Sequence, residues 1–334
     1  MAEIVERTKS ATAKGIAQRI FRHENAALVA VLIALIAGMA ALTKGHTATR
    51  TNVVNILLES STRGVASVGQ AFVILSAGID VSVGGIGLIA SVLGASIMTE
   101  SAQWSLIGYS LPVYVVIPVM LLVASGFGAL NGALVSRIGV PPLIATLGMW
   151  EICKGVAFQI SEGVSIARLP DGMAFFGDGR IAGMLVPIII FIVVAVVAYF
   201  VLNHTTFGKS LYAAGGNPTS AWLSGVSIRN MRLAVYTIAG FLAGLAGVIW
   251  TARTMSATMR SLTNLELDTI ASVTIGGVSL AGGRGTLVGV VIGVIMIGVI
   301  NNGMSLMGAG PFLQNVVKGA IIIAAVAIDY MRRR

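Results

Sequence analysis

Charge is what this chain has least of. Only 10% of its 334 residues are Asp, Glu, Lys or Arg and 56% are hydrophobic, against roughly a quarter charged in an ordinary soluble domain. A soluble fold of this length needs more polar surface than that to stay dispersed. The longest run without an apolar segment, Ser161–Gly183, is too short to hold a core of its own. There is one cysteine, Cys153, which excludes an intrachain disulfide and, alone, makes no metal site; it reads as a small apolar packing residue. The three histidines, His23, His46 and His204, share no metal-ligand spacing. No Gly-x-Ser-x-Gly elbow occurs, and Gly282-Gly283-Arg284-Gly285 lacks the Gly-Lys-Ser/Thr ending of a phosphate loop. The chain thus shows no catalytic constellation and no nucleotide site. If ATP drives what it does, another chain must bind the ATP. The net charge of +9 does not signal nucleic acid, because no aromatic–basic platform accompanies it.

What is present is apolar length. A spanning helix needs about 20 mostly apolar residues. Ten segments approach that: Ala26–Leu42, Gly64–Ile79, Gly85–Met98, Pro112–Val135, Leu143–Ile160, Met184–Leu202, Met231–Trp250, Thr269–Ala281, Thr286–Gly303 and Phe312–Ile328. The expected fold is therefore an all-α polytopic membrane protein. It has about ten transmembrane or re-entrant helices, and eight full spans with two re-entrant segments fit almost as well. The basic stretch before Ala26 is long for a cleaved signal, so the first segment is expected to be retained. Residues 1–25 read as an N-terminal arm, 26–330 as one transmembrane domain and 331–334 as a tail. If both ends lie on one side, that side takes thirteen of the 22 Lys and Arg residues. The positive-inside rule makes it the cytoplasm.

Glycine is abundant, at 41 residues. Gly240, Gly244 and Gly247, and more roughly Gly289, Gly293 and Gly298, recur at helical spacing and read as close helix packing. The clusters at Gly78–Gly87 and Gly276–Gly285 differ, because a helix does not run smoothly through so many glycines. Irregular backbone at membrane depth survives only where protein buries it or water reaches it, and such breaks often bound a solute pathway. Gly78, Asp80, Ser82 and Gly84 in the first break and Gly277, Ser279 and Gly283 in the second are the break candidates. Asp80 reads first as a cap for the helix that follows, with solute or ion contact as the alternative. Glu59 with Arg63 and Glu151 with Lys154 have pairing spacing. Asp268 is placed to cap a helix beginning near Thr269. Lys318 is a lone cation in the last segment, expected to snorkel or pair. The two breaks align weakly, Ala77–Gly84 on Gly276–Gly283, sharing only two glycines.

The string Gly78-Ile79-Asp80-Val81-Ser82-Val83-Gly84-Gly85 resembles a signature of the bacterial ribose/xylose/arabinose-type permeases, the branched-chain/ribose-type membrane family. Further similarities follow in order: Asn131-Gly132, Val140 to Gly148, Thr206-Phe207-Gly208, Ala214-Gly215-Gly216-Asn217, Ser224-Gly225-Val226, Glu266-Leu267-Asp268, Ile275 to Leu280, Gly282-Gly283-Arg284-Gly285, Asn301-Asn302-Gly303 and Lys318-Gly319. The resemblance covers roughly residues 50–330. The chain departs from the signature at Val81, where leucine is usual, and at Gly85, where serine or alanine is common.

The resemblance implies the permease subunit of an ATP-binding-cassette sugar importer in the bacterial inner membrane, with a fold similar to the vitamin B12 permease and both termini cytoplasmic. It implies a cytoplasmic ATPase holding ATP and Mg, a periplasmic sugar-binding protein, and a second permease copy, identical or related. No cofactor is expected on this chain itself. It adds Asn301 and Asn302 to the pathway candidates. It makes the stretch Asn203–Asn230 the coupling loop, with Ala214, Gly215, Gly216, Asn217, Trp222, Ser224 and Gly225 as coupling residues. There, Asn217 or Thr219 is placed to cap a short helix at Ser220–Leu223. The substrate class expected is a pentose or a related sugar or polyol. The alternative is an ion-driven secondary transporter, for which Asp80 and Glu151 are the only good membrane carboxylates.

Overall fold

Each of the ten apolar segments contains a helix in the computed structural model, which describes residues 24–101 and 103–331. The arm and tail expected at 1–25 and 331–334 lie almost wholly outside the described residues. In chain order the long helices are α1 (Glu24–Leu42), α2 (Arg50–Leu75), α3 (Val83–Met98), α4 (Val113–Ala133) and α5 (Pro142–Ser161), then α7 (Val186–His204), α10 (Ile228–Thr254), α11 (Leu265–Ile275), α12 (Leu287–Leu306) and α13 (Pro311–Met331). The shorter α6 (Asp171–Asp178) precedes a two-stranded ribbon, β1 (Arg180–Ile181) against β2 (Met184–Leu185). α8 (Thr206–Gly216) and α9 (Pro218–Leu223) fill the stretch between α7 and α10.

Among the described residues, α1, α4 with its π-turn, α5, α7, α10 and α12 are long and apolar enough to cross a membrane, and α3 and Pro311–Ala327 are apolar but shorter. α2, at 26 residues, has the length without the composition. It begins fourteen residues earlier than hydropathy predicts, because its first half carries Asn52, Glu59, Ser60, Ser61, Thr62 and Arg63. α11 has 11 residues, about 16 Å of helix at 1.5 Å per residue and roughly half of a bilayer's hydrocarbon core.

The helices order themselves by burial. α3 is buried along almost its whole length and α2 throughout its second half. Among the span-length helices α12 and α10 are 72% and 61% buried over their apolar windows, whereas α1 is 6% buried and lies at the margin. α10 packs chiefly on α4, α2 and α3. Its small-residue stripe permits this: a Cβ on Gly240 would lie 2.5 Å from the Ala124 carbonyl oxygen, and one on Gly247 would lie 2.6 Å from that of Gly87. Close backbone approach replaces the hydrophobic drive that apolar lipid does not supply.

Several local expectations need correction. Asp268 caps nothing: α11 starts at Leu265 behind Asn264, and the Asp268 carboxylate is taken by two cations. Glu151 and Lys154 form no ion pair; the Lys154 Nζ instead lies 4.7 Å from the Trp150 ring centre. The loop from 203 to 230 is mostly helical. Between α10 and α11 the chain turns back into the protein, with Met255, Leu262 and Asn264 at positive φ and an antiparallel bridge between Ile166 and Ala257. The weak alignment of the breaks is one residue out of structural register. α2 and α11 both end in Schellman motifs: Gly78 N–H donates to Val73 O and Ala77 N–H to Ile74 O, and Val278 N–H donates to Val273 O and Gly277 N–H to Thr274 O. The left-handed residues are Ala77 and Gly277, so 77 corresponds to 277 and not to 276.

Candidate functional site

The two breaks meet. Leu75, at the end of α2, has a carbonyl that no residue of its own helix satisfies. It accepts from the Gly283 amide at 2.9 Å, which joins the first break to the second. The second break is itself a tight turn, with Ser279 N–H donating to Arg284 O and Gly282 N–H to Ser279 O. Gly277, Gly282, Gly283 and Gly285 all hold positive φ there, a backbone that other residues adopt at a cost.

The end of α8 sits on this joint. A Cβ on Gly215 would collide with the Leu75 carbonyl and lie 2.7 Å from the Gly283 nitrogen, and one on Gly283 would collide with Gly216. The Tyr212 hydroxyl donates to the Gly285 carbonyl at 3.0 Å. Burial raises the Tyr212 pKa, so the phenol stays a donor. Beyond the joint the chain turns outward. Asn217 caps α9 by accepting from the Ser220 amide at 3.0 Å. Ala221 is buried, while Trp222 and Leu223 are 65% and 74% exposed. Ser224 donates back to the Ser220 carbonyl and Gly225 closes the turn at φ 85°. One short segment thus presents glycine inward and tryptophan outward.

Past the joint, residues 76–82 run into the interior and are held by three helices. Tyr236 of α10 donates to the Ile79 carbonyl, Thr146 of α5 accepts from the Val81 amide, and Asn131 of α4 donates to the Ser82 hydroxyl at 2.8 Å. Asp80 Oδ1 accepts from both the amide and the hydroxyl of Ser82, and Oδ2 has no hydrogen-bond partner among the described residues. Asp80 therefore organises the turn into α3.

A third polar region escapes sequence reading. Asp268 Oδ2 lies 3.0 Å from Arg63 Nε and Oδ1 2.7 Å from Lys318 Nζ, so one buried carboxylate binds α2, α11 and α13 together. Glu59 stands 3.8 Å from Arg63 Nη1. These groups line a cavity of about 400 Å³ that also reaches Arg253 and Asn264. On the other side of Leu262, Thr263 and Asn264 is a second cavity of about 300 Å³, bounded by Gly84, Gly85, Trp150, Lys154 and Glu266. The sequence held part of the clue, as Lys318 alone among apolar residues and Arg63 and Asp268 beside the further carboxylates Glu59 and Glu266. Their mutual pairing was not legible, because it spans up to 255 residues of chain.

Among the predicted positions, Gly283, Gly215 and Gly216 converge on the joint, Gly78 closes the end of α2 on Val73 beside Tyr236, and Asp80 and Ser82 share one network. Gly84 stands against Glu266. Asn301 and Asn302 lie elsewhere: Asn302 exchanges two hydrogen bonds with Asn52 of α2, and Asn301 is buried with its carbonyl oxygen unpartnered among the described residues.

Residues 52–326 match the family described as branched-chain amino acid transport system / permease component. The ribose import permease protein of Escherichia coli (strain K12) is 36% identical over 310 residues, 92% of this chain and 93% of that protein. The D-allose transport system permease protein of the same organism is 36% identical over 299 residues, 90% and 89% of the two chains. The galactose/methyl galactoside import permease protein of Haemophilus influenzae is 35% identical over 291 residues, 84% and 87%. No solved structure gives a significant match.

Proposed function

The chain belongs to the family of branched-chain amino acid transport system permease components, and from that premise we propose that it is the membrane subunit of an ATP-binding-cassette importer that moves a monosaccharide into the cytoplasm. The substrate class is supported by the relatives, whose names give ribose, allose and galactose. Energy comes from a partner ATPase that carries the ATP and Mg, and the sugar from a separate binding protein. A second permease copy, identical or related, completes the pathway. The termini and the α8–α9 segment face the cytoplasm of a bacterial inner membrane.

The observation that carries the coupling is the seat of Gly215 on the Leu75–Gly283 joint. An ATPase docked on the exposed Trp222 and Leu223 pushes on α9; Asn217 links α9 to α8, and α8 rests on the hydrogen bond that ties both breaks. Movement at the surface thus reaches, without an intervening flexible loop, the two places where the helices are interrupted. An exposed tryptophan also matches the composition of protein-binding hot spots.

The test is to co-purify the chain with its ATPase and to measure ATP turnover with and without sugar-loaded binding protein. Stimulation by one of the named monosaccharides, lost in Trp222→Asp, is the expected outcome. Sugar uptake that persists in cells lacking the ATPase and follows an ion gradient would sink the proposal and favour a secondary transporter.

A further inference from the structure

The cavity beside Glu266 is built from two helix starts. α3 begins at Val83 and α11 at Leu265, and the two first turns stand side by side, since a Cβ on Gly84 would collide with Glu266 Oε2. Helix starts present unpaired N–H donors, and interrupted helices that meet inside a membrane protein often form solute sites. Glu266 is only 8% exposed, and its Oε2 has no hydrogen-bond partner among the described residues. A buried carboxylate oxygen with no donor is costly. This one is closed off against Gly84, and a turn of the Glu266 side chain, which lines the cavity wall, brings it to a donor arriving from outside the chain.

The lining says which kind. Asn264 offers an amide that donates and accepts, Ser261 a hydroxyl and Lys154 an ammonium, while Leu88, Met259 and Trp150 form an apolar side. Glu266 disfavours an anion there, Lys154 disfavours a cation, and among the described residues no three acidic, histidine or cysteine groups gather to hold a metal. A neutral solute with several hydroxyls on one edge and C–H groups on the other satisfies both sides of the wall. The volume, about 300 Å³, is at the small end of small-molecule sites.

We propose that this cavity is a monosaccharide subsite on the transport route, with Glu266 accepting from sugar hydroxyls and Asn264 and Ser261 completing the polar edge. The proposal rests on the sugar-importer reading and deepens it by naming where the sugar is held. Gly84 and Gly85 acquire a role in it: the first leaves room for the Glu266 carboxylate, and at the second a Cβ would lie 3.1 Å from Trp150.

The experiment uses the complete importer, permease with ATPase and binding protein, in proteoliposomes carrying ATP. Uptake of ribose, allose and galactose is measured beside ATP turnover for wild type, Glu266→Gln and Asn264→Gly; glycine keeps the left-handed backbone at 264. Losing a hydrogen bond to a charged acceptor predicts uptake about tenfold lower or worse in Glu266→Gln, and a smaller loss in Asn264→Gly. ATP turnover stimulated by the binding protein should stay within about twofold of wild type, because neither residue touches the joint. Uptake unchanged in both variants, uptake and ATP turnover falling in parallel, or failure of both to assemble would each overturn the subsite. If one variant fails to assemble, the other decides. A wild-type complex that assembles and hydrolyses ATP but moves no monosaccharide overturns the sugar reading itself, and the subsite with it.

Discussion

Asp268 is the residue whose loss should cost most. Its two oxygens compensate Arg63 and Lys318 separately, so Asp268→Ala leaves Lys318 without its carboxylate and Arg63 with only the more distant Glu59 at 3.8 Å. Breaking a buried pair in this way costs about 3–5 kcal/mol, and the variant should show a sharply lower detergent-solubilised melting temperature; a double variant, Asp268→Ala with Lys318→Met, should recover part of the loss. Asp80 should behave differently. Its observed partners are the amide and hydroxyl of Ser82, which an asparagine oxygen can also accept. Asp80→Asn should keep most of the uptake, and Asp80→Ala should lower stability by about 1 kcal/mol as the turn loses its acceptor. Uptake abolished in Asp80→Asn, with assembly intact, would instead make the carboxylate charge itself part of the transport route.

Tyr212 adds a pH prediction. Its contact with the Gly285 carbonyl needs the protonated phenol, and burial raises the pKa. A raised pKa means that the stability is fully present below the ordinary phenol value of about 10 and is lost only as pH climbs through the higher folded value. Coupling should therefore show no titration from this contact between about pH 6 and 9. Tyr212→Phe should lower stability by about 1 kcal/mol at every pH in that range, as read from thermal melts.

Among the elements, the apolar helices were legible because lipid rewards continuous hydrophobic runs. The second break was legible because its glycines take left-handed backbone, but the first only in part: α3 runs through Gly84, Gly85 and Gly87, which the glycine-cluster reading had placed in the break, and Gly78 alone lies in it. The first half of α2 was not legible, since its polar residues defeat a hydropathy window, and Asn52, Thr62 and Arg63 among them bond neighbouring helices. The re-entrant turn before α11 was hidden for another reason: Met255, Leu262 and Asn264 adopt left-handed backbone without being glycine, so only tertiary context places them. The same holds at Ala77, where a glycine-based alignment put the two breaks one residue out of register. The departure at Gly85, which sequence comparison left without a reason, stands where a Cβ would press on Trp150. For the candidate site, Gly215, Gly216 and Gly283 stood among the motif residues, whereas Leu75 and Tyr212 did not, and the meeting of all five required the structure. Glu266 appeared only as part of a matched string, and nothing in its local sequence indicates an unpartnered oxygen.

Across the whole molecule, the arrangement is a buried centre of α2, α3, α10 and α12, two interruptions joined by one backbone hydrogen bond, and a surface segment resting on that bond. Such a layout favours transmission of a push, because packed elements shift between discrete positions rather than deforming continuously. The most direct measurement is uptake and ATP hydrolysis, side by side in proteoliposomes, for wild type and Gly215→Ala. A methyl at that position collides with the Leu75 carbonyl and crowds Gly283, so it should separate α8 from the joint. The account predicts that the variant assembles and hydrolyses ATP while uptake per ATP falls about tenfold or more. Uptake per ATP equal to wild type in Gly215→Ala would contradict it, as would wild-type uptake that needs no ATPase.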